Sequence, residues 1–487
     1  MADPNDLGSV AVAGAATVQQ SPTTPGEGLD CAELMSEAAR RAVTDSGGAA
    51  FGERVDLVLA TQGLSMLADG AGRVAAAIDR PEATAVTYQV GIPQQALLNH
   101  AFRAVRSGEA RAVLVVGGET KRRDDLARRA GVELAAPRAF DGPVDELVEP
   151  EGEIVARPEI DIGAVAPVQQ YALIDAARRA AHGWSLDDHR DDIAEMWAAF
   201  NTVAQRNPNA AFPAPMTAAQ IREPGDGNRL LAFPYNKWHN SQWSVDQAAA
   251  LLITSTKLVE SVGGPTDRLV YPLVAAQSSQ SLSLSRRADL HRWPAMAVLG
   301  THAEAILGAP LSAIEHVELY SCFPAAVRVQ QAELGLDPDI VPTITGGMAF
   351  AGGPFNSFVL QATVAMVDRL RNHPGDRGLV TAVSGLLTKP GLSVWSTEPT
   401  NEVEPVDLVD RARAATAVVS LDEDPHGPGV IASYTVTGSR VVAIIDLDSE
   451  ERAVAACDDA AVALQAMVED LIGASVEVDG QVFRPAG

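Results

Sequence analysis

Few side chains in this chain could do covalent or metal chemistry. Its three cysteines, Cys31, Cys322 and Cys457, are too few and too scattered for a disulfide framework or a cysteine-rich zinc site. The nine histidines are dispersed, with no His-Glu-x-x-His and no paired ligand spacing, so no metal site is expected. Lys121, Arg122 and Arg123 follow closely on Gly118-Glu119. They could meet a cofactor phosphate or form a solvated basic turn. Gly346, Gly347, Gly352 and Gly353 suit close backbone approach to a ligand, and they suit a tight structural loop equally well.

The elements that must position such groups belong to a large protein. At 487 residues the length suggests about three domains, with ample chain for a core. Hydrophobic residues make up 47% and charged residues 21%, a globular composition. With 37 Lys and Arg against 63 Asp and Glu, the net charge is −26. Such a chain repels phosphate backbones, so general nucleic-acid binding is excluded as an expectation, though a local basic pocket is not. The acidic start Met1-Ala2-Asp3-Pro4-Asn5-Asp6 lacks the basic and apolar regions of a signal peptide. No apolar run reaches the roughly 18–20 residues that span a bilayer. A reduced, cytoplasmic protein is expected.

Short apolar strands alternate with amphipathic helices, which predicts α/β layers. Val10–Val18 and Val55–Ala60 read as strands. Asp30 followed by Glu33 reads as a capping box that opens a helix. Leu97, Leu98, Ala101, Phe102 and Val105 mark a helical face that Gly108 terminates, and the strand Ala112–Val116 then runs into Gly117-Gly118. The same grammar recurs at Phe358–Gly385. Val359, Leu360, Thr363, Met366, Val367 and Leu370 trace a helix, Pro374-Gly375 breaks it, and the strand Leu379–Val383 ends at Ser384-Gly385. Two copies suggest a duplication.

Asp141–Asp161 carries eight acidic residues, one arginine and the breakers Pro143, Pro150 and Pro158, so it reads as the opening of an inserted, partly irregular subdomain that continues to about residue 230. Beyond the acidic linker Glu402–Glu404, the β-rich runs Thr416–Leu421, Val430–Val436 and Val441–Leu447 are expected. A helical stretch near Ala453–Ile472 and a last run at Ser475–Val482 follow. Together they suggest a small β-barrel-like appendix resembling the oligonucleotide/oligosaccharide-binding barrel. Its acidity argues against a nucleic-acid ligand.

Four motifs, in order and at fitting spacing, resemble the thiolase superfamily. Asn99–Gly118 is similar to the segment after the nucleophilic cysteine. Val317-Glu318-Leu319-Tyr320-Ser321-Cys322-Phe323 occupies the Asn-Glu-Ala-Phe place, where sterol-carrier-protein-type thiolases have His-Asp-Cys-Phe. Thr345–Pro354 resembles the Gly-Gly…Gly-His-Pro loop. Pro234-Tyr235-Asn236-Lys237 with Val245–Ala250 resembles the end of the loop domain and the following strand. The resemblance spans residues 7–395 and is nearest in kind to actinobacterial thiolase-like proteins (type 1) with an additional C-terminal domain. It implies duplicated mixed β/α halves in a five-layer sandwich, with the site between the halves and a loop domain that helps bind coenzyme A. The implied division is 1–140 and 241–270 for the first half, 141–240 for the loop domain, 271–398 for the second half and 405–487 for the appendix.

The resemblance further implies an acetyl-CoA acetyltransferase-like role in lipid metabolism, with CoA or acyl-CoA as ligand and no metal, nicotinamide or flavin. The catalytic set, however, is replaced. The nucleophile place falls at Gly91 or Ile92, the loop histidine is Gly353, the Asn or His is Tyr320, and the second cysteine is Ser384 or a neighbour. Losing a nucleophile and a general base costs several orders of magnitude, so thiolase turnover is not expected. Three readings remain: a CoA or acyl-CoA binder without turnover, a cysteine-independent lyase or retro-aldolase, and a non-enzymatic scaffold acting through its C-terminal domain.

The lyase reading rests on thiolase-like aldolases that carry Tyr-Asp-Cys-Phe. Tyr320 is either the acid/base, with its pKa lowered from about 10, or a packing residue. Cys322 is expected to be a buried structural cysteine, and Ser384 has no evident base partner. His239, Met348, Gly352 and Gly385 are the candidate substrate-binding residues, His239 otherwise being an exposed loop histidine. A monomer or homodimer is expected, with a protein partner as a further option through the C-terminal domain.

Overall fold

The computed structural model describes residues 8–135, 140, 142, 144–399 and 403–486. The segment Met1–Asp6, Asp141, Pro143 and Glu402, all used in the reading above, lie outside them.

The first sheet contains β1 (Val10–Gln20), β2 (Val55–Thr61), β3 (Thr84–Tyr88), β4 (Ala112–Thr120) and β5 (Glu146–Val148). A two-stranded ribbon, β6 (Leu230–Ala232) and β7 (Tyr235–Asn236), precedes its last strand, β8 (Asp246–Ser255). The order is β1-β8-β4-β2-β3-β5. The second sheet contains β9 (Tyr271–Gln277), β10 (His316–Glu318), β11 (Arg377–Ser384), β12 (Lys389–Ser396) and β13 (Val406–Asp407), in the order β10-β11-β12-β9-β13.

Within the first sheet β1 and β8, and β8 and β4, are antiparallel, while β4 and β2 are parallel. In the second, β9 and β12, and β12 and β11, are antiparallel, while β11 and β10 are parallel. Four strands thus repeat with one pattern, and the duplication inferred from the helix-break-strand grammar is present in the topology.

Alternation along the central strands decides the layers. Ala112, Leu114 and Val116 of β4 join one core, against the helices Cys31–Asp45 and Gly70–Ala77. Val113 and Val115 face the other way into the principal core. There the helices Gln95–Ser107 and Phe358–Asn372 lie between the two sheets, and Pro294–Leu307 covers the far face of the second. Helix, sheet, helix pair, sheet and helix make five layers. Asp30 caps its helix with Glu33 reciprocating, and Gly108 ends its helix in the left-handed region, as expected.

The partly irregular acidic stretch carries one short strand, Glu146–Val148, which adds β5 in parallel to β3. Two expectations need correction. Ala453–Cys457 is not helical. The appendix is a closed barrel of β14 (His426–Thr437), β15 (Arg440–Leu447), β16 (Arg452–Cys457), β17 (Ser475–Asp479) and β18 (Val482–Pro485), and its helix is confined to Ala460–Gln465. Thr416–Leu421 forms only isolated bridges, Val418 to Arg287 and Leu421 to Arg452. The barrel is seated on the 141–240 segment: Phe233 enters the barrel core, Phe233 N donates to Val436 O, and Ser433 Oγ donates to Leu173 O at 2.6 Å.

Candidate functional site

The two halves meet along the central helices. Gln94 Oε1 accepts from Val359 N, Asn356 Nδ2 donates to Gln62 O, and Asn99 Nδ2 donates to Gln277 Oε1. Three of the candidate positions, Gly91, Gly353 and Gly385, are closely abutted by neighbours.

Gly91 has φ +102, and a Cβ there would meet Pro150 Cβ at 3.0 Å. Ile92, the other register, is half-buried against the main core. A Cβ on Gly385 would meet Ile154 Cγ2 at 2.9 Å. Pro150 and Ile154 belong to one strap that leaves β5. Lys389 pins it, its Nζ donating to Glu151 O at 2.8 Å and Gly91 O at 3.1 Å, while Ser281 Oγ donates to Glu151 O at 3.0 Å. Burial lowers the pKa of Lys389.

The glycine loop is closed from the other side. A Cβ on Gly353 would lie 1.8 Å from Ser241 Oγ and 3.2 Å from Met348 Cβ. Ser241 and Gln242 are laced to this loop: Ser241 N donates to Cys322 O, Gln242 N to Met348 O, and Gly353 N to Gln242 O. Gly352, at φ +108, abuts Gln247, whose Nε2 donates to Ala351 O. A Cβ on Gly346 would press on the backbone of Ala204, and one on Gly347 on Phe200. These four glycines therefore serve a tightly packed structural loop.

Tyr320 and Ser384 both stand half-buried at strand ends. Tyr320 N donates to Thr381 Oγ1, Tyr320 O accepts from Gln330 Nε2, and the ring meets Phe358 edge-on at 5.9 Å. Burial, with Cys322 adding, pushes the phenol pKa up. The lowering that base chemistry requires is absent, and the hydroxyl is a donor. Ser384 O accepts from Thr388 N, and among the described residues no base approaches its hydroxyl.

Cys322 is buried, and its thiol is pushed up to about 12 by burial. That makes it the structural cysteine expected from the motif. Cys31 is likewise pushed up to about 12 and donates to Gly118 O. Cys457 is buried in the barrel core.

His239 is not an exposed loop histidine. It is 2% exposed, its Nδ1 accepts from Asn236 N at 2.9 Å, and burial drives its pKa down to about 3, so the ring is neutral. Nor do Lys121, Arg122 and Arg123 form a solvated turn. They open the helix Lys121–Ala130, where Lys121 pairs with Asp125 and Arg123 Nε donates to Gly28 O.

The strap, Lys389 and Ser241 escaped the sequence reading, although Pro150 had been singled out as a breaker. Two buried carboxyls escaped it as well. Glu318 accepts from Ile344 N, Thr345 N and the hydroxyls of Thr343 and Thr345, yet burial outweighs these donors and raises it to about 7. Glu119 accepts from Leu64 N at 2.8 Å, and burial raises it to about 8. Among the described residues no group of His, Cys, Asp and Glu could hold a metal ion, and no helix is long and apolar enough to cross a membrane.

No protein-family model matches the chain. An acetyl-CoA acetyltransferase of Methanothermobacter thermautotrophicus is 25% identical over 233 residues, 44% of this chain and 58% of that protein, so the match spans a little over half of the relative's length. Among solved structures, a monomeric SCP2-thiolase-like protein type 1 from Mycobacterium smegmatis superposes over the whole of both chains with a TM-score of 0.83 and 26% identity. The Acat5 thiolase of Ascaris suum, solved in complex with coenzyme A, covers 80% of this chain and 99% of its own with a TM-score of 0.57 and 14% identity. The duplicated sheets, the five layers and the fused barrel agree with these likenesses: the chain has the thiolase fold and resembles an SCP2-thiolase-like protein over its whole length.

Proposed function

We propose that this protein binds CoA or acyl-CoA at the seam between its halves and does not turn over as a thiolase. One observation carries the second clause: Gly91, Gly353 and Gly385, at or beside the places that the resemblance gives to nucleophile, base and second cysteine, abut Pro150, Ser241 and Ile154. Support for the ligand comes from the fold, which a thiolase solved with coenzyme A shares. The outer end of the seam also has suitable surface. Trp243 is 49% exposed, with Lys121 Nζ 5.1 Å over its ring and Phe355 at its edge. That is apolar area and a cation where the chain before β8 meets the chain after the glycine loop.

The strap stops a ligand short of the centre, so an acyl group gains nothing there. Calorimetric titration is expected to give saturable binding of CoA and of acetoacetyl-CoA with affinities within about threefold of each other, less than 1 kcal/mol. Thiolysis of acetoacetyl-CoA is expected to stay at background. Thiolysis at ordinary thiolase rates would refute the proposal. No binding up to millimolar ligand, a limit of about −4 kcal/mol, would favour the second reading, a scaffold acting through its barrel. The sealed centre also supports that reading.

The free edge of β3 is covered by β5, a three-residue strand followed by Glu149. A short edge with acidic neighbours discourages pairing between sheets. Light scattering is expected to return the mass of one chain at micromolar concentration; a dimer mass would show that another surface pairs.

A further inference from the structure

Away from the sealed centre, a small pocket of about 20 Å³ opens between the start of the Pro294–Leu307 helix and the hairpin joining β11 to β12. Arg287 and Trp293 line it and are only 5% and 3% exposed. Arg287 Nη2 donates to the carbonyls of Leu386 at 2.7 Å and Leu282 at 3.3 Å. Its Nη1 and the Nε1 of Trp293 are buried and find no acceptor among the described residues. A buried donor left without an acceptor costs about 1–3 kcal/mol, and native structures rarely leave two on one pocket.

The charge is also unbalanced. Burial lowers Arg287 to about 10, which leaves it protonated near neutrality. Glu159 is the carboxylate that favours its charge, but its oxygens already accept from Ala156 N and Ser285 N. At the rim, Arg292 is engaged by Glu333, and Asp289 is exposed. Pro294 and Ala295, the first turn of a 14-residue helix, line the same pocket, and a helix start carries partial positive charge.

We propose that this pocket takes the carboxylate of a small organic acid, one oxygen accepting from Arg287 Nη1 and the other from Trp293 Nε1. A carboxylate offers two coplanar oxygens to the two donors, with its chain directed outward. The site does not depend on CoA binding at the seam.

The test is a titration of the full chain with sodium acetate, at ionic strength held constant with sodium chloride, followed by the six tryptophan indole N–H resonances. One resonance, identified by its absence in Trp293→Phe, is expected to shift saturably in the millimolar range, a binding energy of about 3–4 kcal/mol. Acetate is also expected to raise the melting temperature of the wild type, and to do so much less in Trp293→Phe. Arg287→Met should abolish both responses. Should that variant fail to fold, the wild type and Trp293→Phe still decide. An indole signal that stays still up to about 100 mM acetate would mean that water satisfies the donors and would overturn the proposal. Equal or stronger saturation by inorganic phosphate would overturn it too.

Discussion

Placing a histidine at Gly353 is expected to destabilise the protein by about 2–3 kcal/mol and to install no base. The Cβ alone would fall 1.8 Å from Ser241 Oγ. Rotating that hydroxyl away leaves Ser241 Cβ at 3.1 Å and Met348 Cβ at 3.2 Å, before any imidazole atom is placed. Ser241 cannot retreat cheaply, because the hydrogen bonds from Ser241 N to Cys322 O and from Gln242 N to Met348 O hold its backbone. Gly91→Cys meets a second obstacle. Its φ of +102 strains any L side chain by about 1–2 kcal/mol, and Pro150 stands where the side chain must go. The double variant should therefore lose about 4 kcal/mol and show no acetoacetyl-CoA thiolysis. Denaturant unfolding and a thiolysis assay check both statements. A stably folded double variant that turns over would show that the centre lacks only its residues and has kept its space.

That result bears on what could be read in the chain. The absence of any cysteine between Cys31 and Cys322 was legible directly. The duplicated halves were legible because each repeats a helix with a regular apolar face, a breaker and a strand. The close packing around Gly91 and Gly385 was not. Pro150 and Ile154 are unremarkable residues in an acidic run, and their meaning comes from docking on Gly91 and Gly385 under a lysine 238 positions from Glu151. Sequence periodicity carries no information about such contacts. The misread strand has a different cause. Arg452–Cys457 is alanine-rich and so favours helix locally, but pairing with β15 from Val441↔Cys457 to Asp446↔Arg452 overrides that preference. The exposed-loop reading of His239 failed for a third reason. A polar loop composition hid the turn Lys237–His239, which buries the ring with its Nδ1 accepting from Asn236 N.

Asp175→Asn is expected to cost about 3–5 kcal/mol, although the residue is distant in sequence from every candidate site. Asp175 is fully buried, Arg178 Nε donates to its Oδ1 at 2.9 Å, His189 Nε2 stands 3.1 Å away, and Tyr235 Oη donates to its Oδ2 at 2.7 Å. Tyr235 Oη in turn accepts from Ala325 N. One carboxylate thus ties the helices Pro167–Ala181 and Leu186–Ala204 and the strand β7 to the helix of the second half that begins at Pro324. Burial alone would raise its pKa, but the charges of His189 and Arg178 and the hydrogen bonds outweigh it and hold the carboxyl below the usual range. A carboxyl depressed on folding contributes stability that is complete above its unfolded pKa of about 3.9 and is lost as pH falls toward its folded value. The difference between wild type and variant should therefore be constant from about pH 5 to 8 and shrink only in acid. Asparagine keeps the shape and one acceptor, so a loss of this size measures the uncompensated Arg178, itself 5% exposed. A cost below about 1 kcal/mol would mean that Arg178 is satisfied through Asp192 instead, at 3.3 Å, and that the segment is anchored to the second half by apolar packing such as Tyr171 stacked on Phe323 at 4.4 Å.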